Sequence, residues 1–186
     1  MEKIVQQKEK VLRLQAKEVR IMDIKTKKIQ DILKAMSRAL KSQNDGVAIA
    51  APQIGHSLRI FVVSGKIFAK DFGKSPEEKL LNENNIVGGE KKEKIKDMVF
   101  INPKISKLSR EKEWLPEGCL SVRWLYGKAL RSKKATITAY DEKGKKFARG
   151  ASGLLAQIFQ HETDHLNGIL FIDHAKDIKE ELPPKR

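Results

Sequence analysis

Two histidines four residues apart, with a glutamate next to the first, constrain this chain more than any other feature. They lie in Gln160-His161-Glu162-Thr163-Asp164-His165-Leu166, inside an apolar, helix-forming run from Gly153 to Leu166. A helix turns about 100° per residue, so His161 and His165 fall one turn apart on the same face. Two imidazoles so placed can hold one metal ion. Glu162 beside them is positioned to take a proton from a water that the ion activates. The alternative is a helix that carries two histidines by coincidence. With only 4 His in 186 residues, the metal reading is preferred. It demands a fold that brings a third ligand to this helix.

Three sources for that ligand compete. In the longer pattern His-Glu-x-x-His-x-x-Gly-x-x-His the third His would stand at position 171. Gly168 matches that pattern, but position 171 is Phe171. A downstream Glu on a second helix is another arrangement. Glu180 and Glu181 are the candidates, in a polar tail stopped by Pro183-Pro184 with little chain left for a helix. The remaining donor is Cys119. A lone Cys is more often apolar filler, but this one sits in a polar turn, which favours chemistry.

The rest of the chain reads as one domain of mixed helices and strands. Residues 1–20 form an extended arm. Asp23 caps an amphipathic helix in which Ile24, Ile29, Ile32, Leu33, Met36 and Leu40 make the buried stripe. A polar turn, Ser42 to Gly46, follows. Leu58 to Val63 is a short buried strand. Residues 65–97 form a charged surface insertion, with Ser75-Pro76-Glu77-Glu78 opening a short helix. Strands resume at Met98 to Ile101, end at Asn102-Pro103, and run again from Ile105 to Trp114. Leu115 to Val122 is a turn leading into a strand. Lys134 to Tyr140 and Lys145 to Ala148 form a hairpin about Asp141-Glu142-Lys143-Gly144. Gly168 ends the metal helix, and a short polar tail closes the chain.

Composition narrows the setting. No run of about 18 apolar residues exists, so no membrane span is expected. The first residues lack the apolar stretch of a signal peptide. One cysteine permits no internal disulfide and suits a reducing cytoplasm. The net charge of +14 raises a nucleic-acid or ribosome partner. The lysines are scattered among glutamates, however, which favours a solvated surface.

Three stretches together resemble the peptide deformylase family, in its order: Gly46-Val47-Ala48-Ile49-Ala50-Ala51-Pro52-Gln53, Glu117-Gly118-Cys119-Leu120-Ser121 and Gln160-His161-Glu162-Thr163-Asp164-His165-Leu166. The resemblance runs from about Ile4 to Ile172. It implies an α+β fold, with antiparallel strands around a central metal-binding helix. It also implies hydrolysis of the N-formyl group on the formyl-methionine of nascent polypeptides, with release of formate. Carried over by motif, Cys119, His161 and His165 bind one divalent ion. Fe²⁺ is expected, and Zn²⁺, Ni²⁺ or Co²⁺ can substitute. Glu162 is the proton carrier. Gln53 and the Leu120 N–H stabilise the oxyanion. Gly46, Val47, Ala48, Gly118, Leu154 and Ile158 build the substrate slot. Partners are formyl-Met N-termini, with a transient ribosome contact, for a monomer in the cytoplasm.

Some residues depart from the family pattern. Ala48 stands where Gly is usual, and its methyl narrows the slot. Arg123-Trp124 replaces the Pro-Gly of many members, with Trp124 as a wall or lid. Gln157 adds polarity on the site side of the helix. Asp164 is placed to buttress the ligands through Arg131, or is simply an exposed helix acid. His56 and His174 are given no role.

Overall fold

The computed structural model describes residues 3–69, 72 and 95–183. Its architecture is α+β, with two antiparallel sheets and two α-helices among the described residues. Helix α1 spans Lys27–Lys41. Ile29, Ile32, Leu33, Met36 and Leu40 are all buried, because steps of three and four keep them on one face. The helix starts three residues later than Ile24. Asp23 lies instead in a 3-10 turn, Ile21–Asp23, and Thr26 occupies the N-cap.

The larger sheet has the order β1-β2-β3-β6-β7. Its strands are β1 (Ala48–Ala50), β2 (Ile60–Val63), β3 (Met98–Leu108), β6 (Lys134–Tyr140) and β7 (Lys146–Ser152). The smaller sheet orders β4 (Lys112–Gly118), β5 (Leu125–Ser132) and β8 (Lys176–Glu180) as β4-β5-β8. Helix α2 spans Gly153–Leu166. It touches β6, β7 and β1 of the larger sheet and β5 of the smaller one. Its Ala156, Ile158, Phe159 and Leu166 share one apolar cluster with Phe61, Phe100 and Ile137 of the larger sheet. Phe61 and Phe100 stack with ring centroids 4.5 Å apart, and Phe159 meets Phe100 edge-on at 5.2 Å. Gln160 ties the helix to β5 through its side chain, which accepts from Ser132 N–H at 2.9 Å and donates to Ser132 C=O at 3.0 Å.

Several expected boundaries move. Asn102-Pro103 does not end β3. The strand bulges there, with Asn102 at φ 50°, and carries on. Asn102 tolerates that backbone, and its amide exchanges two bonds with the Val19 backbone, at 2.8 and 2.7 Å. The expected strand Ile105–Trp114 is two strands, because the ladder is interrupted at 109–111, where the chain keeps its direction beside 132–135 but passes from the larger sheet to the smaller one. Leu115 to Gly118 finishes β4 rather than forming a turn, and the reversal falls at 119–124. The hairpin strand β7 runs on to Ser152, past Ala148. The polar tail contributes β8, which pairs with β5 through backbone bonds and needs no apolar pattern. The N-terminal arm contains a 3-10 turn at Lys10–Arg13 and is only partly extended. It buries Leu12, Ala16 and Val19. Most of the charged insertion at 65–97, including the helix expected near Ser75, lies outside the described residues.

Candidate active site

The cleft forms where α2, the β1 segment and the 119–124 connection meet. Its volume is about 300 Å³. On α2, His161 and His165 project to one side with ring centroids 5.0 Å apart. Cys119 comes from the end of β4. Its Sγ lies 3.1 Å from His165 Nε2. The ligand atoms of Cys119, His161 and His165 all lie within 4.8 Å of one another. Metal bonds to thiolate sulfur and imidazole nitrogen run about 2.0–2.3 Å, so donors this close can share one ion. Glu162 is buried, and its Oε2 has no partner among the described residues. A thiolate, two imidazoles and an unpaired buried carboxylate fit a divalent cation of the zinc or iron kind.

The electrostatics are those of a charged cluster in a dry place. Burial pushes the Cys119 thiol up, but attraction to His165 and hydrogen bonds from both imidazoles bring it down to about 5. Burial lowers the His161 imidazole, while its bonds to Cys119 and Glu117 raise it well above the ordinary 6.5. Burial pushes Glu162 up to about 7, against the pull of both histidines. Metal binding would displace the imidazole proton and fix the thiolate.

Glu117 was not singled out for a role from the sequence, yet it organises the back of the site. Its Oε2 lies 3.0 Å from His161 Nδ1. Arg131 grips the same carboxylate with two bonds, at 2.7 and 3.0 Å. Burial raises Glu117, but the bonds from His161 and Arg131 outweigh it and hold it at about 2. His161 is thereby turned so that Nε2 faces the sulfur, the usual means of orienting a ligating imidazole. Arg131 also donates to Asp164 Oδ2 at 2.7 Å, which unites the pair considered from the sequence. His174 Nε2 stands 3.4 Å from that same oxygen. A signal for Glu117 did exist: it is the one acid in the Glu117-Gly118-Cys119-Leu120-Ser121 stretch, two residues before the ligand sulfur.

Gln53 sits in a 3-10 turn, Ala51–Ile54. Its Oε1 accepts from Ala50 N–H at 2.7 Å, and its Nε2 points at Ser121 Oγ (3.2 Å) and Cys119 Sγ (3.5 Å). The Leu120 N–H has no acceptor among the described residues. Gly46, Val47, Ala48, Gly118, Leu154 and Ile158 all line the cleft, as do Trp124 and Gln157. A Cβ at Gly118 would sit 2.7 Å from the Tyr126 ring, so only Gly fits there. The Gln157 amide donates to Pro116 C=O at 2.9 Å and to Glu117 Oε1 at 3.3 Å. Its polarity is used against β4. At the mouth, Arg123 makes a two-bond ion pair with Asp45 and donates to Gln43 Oε1 at 2.9 Å. The Arg123 guanidinium carbon lies 5.0 Å from the Trp124 ring centre.

A family model described as polypeptide deformylase matches residues 1–181. The chain belongs to the peptide deformylase family. Its reaction is removal of the N-formyl group from nascent polypeptides. The peptide deformylase of Borreliella burgdorferi is 36% identical over 167 residues, covering 90% of this chain and 83% of that protein. That of Desulforudis audaxviator is 35% identical over 176 residues, 94% of each chain. The crystal structure of a class I type b peptide deformylase from Acinetobacter baumannii, bound to Met-Ala-Ser, superposes with a TM-score of 0.74 at 28% identity. It covers 92% of this chain and 96% of that one. As a deformylase, the chain needs a divalent ion, a proton carrier and donors for an oxyanion, and the cleft offers candidates for each. Among the described residues no helix is long and apolar enough to cross a membrane.

Proposed function

We propose that the chain, as one domain from 1 to 186, hydrolyses the formyl amide with Cys119, His161 and His165 holding one Fe²⁺. The observation that carries this is the convergence of one sulfur and two ring nitrogens within 4.8 Å, next to a buried carboxylate oxygen without a partner. Zn²⁺, Ni²⁺ or Co²⁺ would suit the same donors. When bound, the ion acidifies water and polarises the formyl oxygen. Glu162 takes the proton of the attacking water and returns it to the leaving amine. Gln53 Nε2 and the Leu120 N–H donate to the oxyanion as it forms. Each such donor contributes roughly 3 kcal/mol to lowering the barrier. Gly46, Val47, Ala48 and Gly118 shape the slot for the peptide backbone, and Leu154 and Ile158 offer apolar surface to the methionine.

The site is meant for the N-termini of nascent chains. The +14 charge supports a transient ribosome contact by phosphate attraction, and the single cysteine supports a reducing cytoplasm. Gel filtration tests the monomer. The principal test is formate release from formyl-Met-Ala-Ser by enzyme loaded with Fe²⁺ or Ni²⁺ without oxygen, alongside metal analysis. No release, or undiminished release from Glu162→Ala, would sink this reading.

A further inference from the structure

The N-terminal arm holds both residues assigned to the oxyanion. Val5 N–H donates to Gln53 C=O at 2.9 Å. The next residue, Gln6, donates through Nε2 to Leu120 C=O at 3.1 Å. Its Oε1 accepts from Arg123 N–H at 3.4 Å. The two apolar residues before Gln6 pack against clusters that include side chains of the connection. Ile4 packs against the cluster that contains Leu120. Val5 packs against the cluster that contains Val122, where Cys119 also rests. The arm therefore spans the turn that carries Gln53 and the connection that carries Leu120, and it bonds to backbone on each.

The C=O of Leu120 and its N–H flank the same Cα. They belong to successive peptide planes, so a carbonyl held toward the arm and a side chain buried in its cluster together limit how far the N–H can turn out of the cleft. A donor is useful only where the developing charge will be, and a shift of about 1 Å can cost up to about a hundredfold in rate. From this geometry we propose that Gln6 is a positioning residue for deformylation, acting through the Leu120 peptide. The proposal rests on the assignment of Gln53 and Leu120 as oxyanion donors.

The test compares Gln6→Met, Gln6→Glu and Gln53→Met with the unaltered enzyme, all loaded with Zn²⁺ or Ni²⁺. Methionine keeps the length of Gln6 and loses its bonds to Leu120 and Arg123, along with a longer one to Ile4 C=O at 3.4 Å. Glutamate keeps an acceptor for Arg123 N–H and loses the donor to Leu120. Both Gln6 variants should lower kcat roughly tenfold, with KM, metal content and Tm unchanged. Amide hydrogen exchange at 119–123 should quicken in both. An unchanged kcat in Gln6→Met, while Gln53→Met is impaired, overturns the proposal and leaves the oxyanion assignment standing. An unchanged kcat in Gln53→Met overturns that assignment and the proposal with it. Full activity in Gln6→Glu, or a loss that tracks metal content or Tm, also overturns it.

Discussion

His161 and His165 reach the cleft from α2, which lies against the larger sheet through Ala156, Ile158, Phe159 and Leu166. Cys119 reaches the same point from a connection only six residues long, 119–124. Its two buried apolar side chains, Leu120 and Val122, belong to different clusters. Apart from Cys119 resting against one of those clusters, the side-chain ties on this connection are polar: Gln53 on Ser121, Gln6 on Leu120, and Arg123 on Asp45 and Gln43. The helix is thus fixed by area buried and the loop by directed bonds. Area tolerates small errors, since a cluster can repack. A hydrogen bond lost at a loop leaves nothing in its place. The helix should therefore keep its ligands in register through most conservative changes, while the loop should be sensitive to single polar substitutions.

The largest effects come from removing a ligand. Cys119→Ala should lose the ion on dialysis and fall to background formate release, as the wild type should after chelation. Retained metal and activity would show that the loop contributes no ligand. Next is Glu162→Gln, which leaves the packing of α2 untouched. It should keep full metal content yet lower kcat by roughly 10²–10⁴-fold. A variant still within tenfold of wild type would move the proton carrier elsewhere.

A third change strikes the junction of the two regions. Arg131 lies on β5, 5% exposed, and holds Glu117 of β4 and Asp164 of α2. Removing one partner of a buried ion pair leaves an unpaired charge and costs about 3–5 kcal/mol. Arg131→Ala should be destabilised by that order in a urea titration. Because Glu117 orients His161, its metal affinity should also fall about 10–100-fold. Loss of stability with unchanged affinity would make the network a structural brace only.

How legible each region was in the sequence follows from the same contrast. The limits of α2 were readable from its apolar run, and the α1 stripe from its steps of three and four, because a helix writes its packing locally. His161 and His165 came with that period. The connection could be read only as a motif, since its supports lie far away in the chain: Gln6 is 114 residues from Leu120 and Gln43 is 80 from Arg123. No periodicity announces such pairs. β8 was missed for a related reason. Lys176 to Glu180 is exposed throughout, and its place comes from backbone pairing with β5, to which side-chain pattern is blind. The split of the expected strand Ile105–Trp114 was hidden because the chain keeps its direction through Ser109-Arg110-Glu111 and only changes sheets there, so no turn residue marks the break.

The smallest expected effect sharpens the contrast most, because it concerns a directed bond at the surface. Burial of Arg123 is incomplete and the Asp45 side chain is 56% exposed, so the pair should be worth less than about 1 kcal/mol. Asp45 is held below its ordinary 3.8, first by the hydrogen bond from Arg123, against a smaller opposing effect of burial. An acid lowered in the folded state stabilises the fold above its unfolded pKa and ceases to do so as pH falls through the folded value. Arg123 stays charged throughout that range. The advantage of wild type over Arg123→Ala, read from urea midpoints, should be constant from pH 7 to about 5 and shrink below about 4. Added salt should reduce it as well. If the advantage persists undiminished at pH 2, Arg123 acts through Gln43 and the Trp124 ring, neither of which titrates there. KM distinguishes the two cases further. A clasp between Asp45 and Arg123 ties the wall that carries Gly46 to the loop that carries Leu120, so its loss should raise KM several-fold at neutral pH with kcat less affected. Stacking on Trp124 alone touches one wall of the cleft and predicts no such rise.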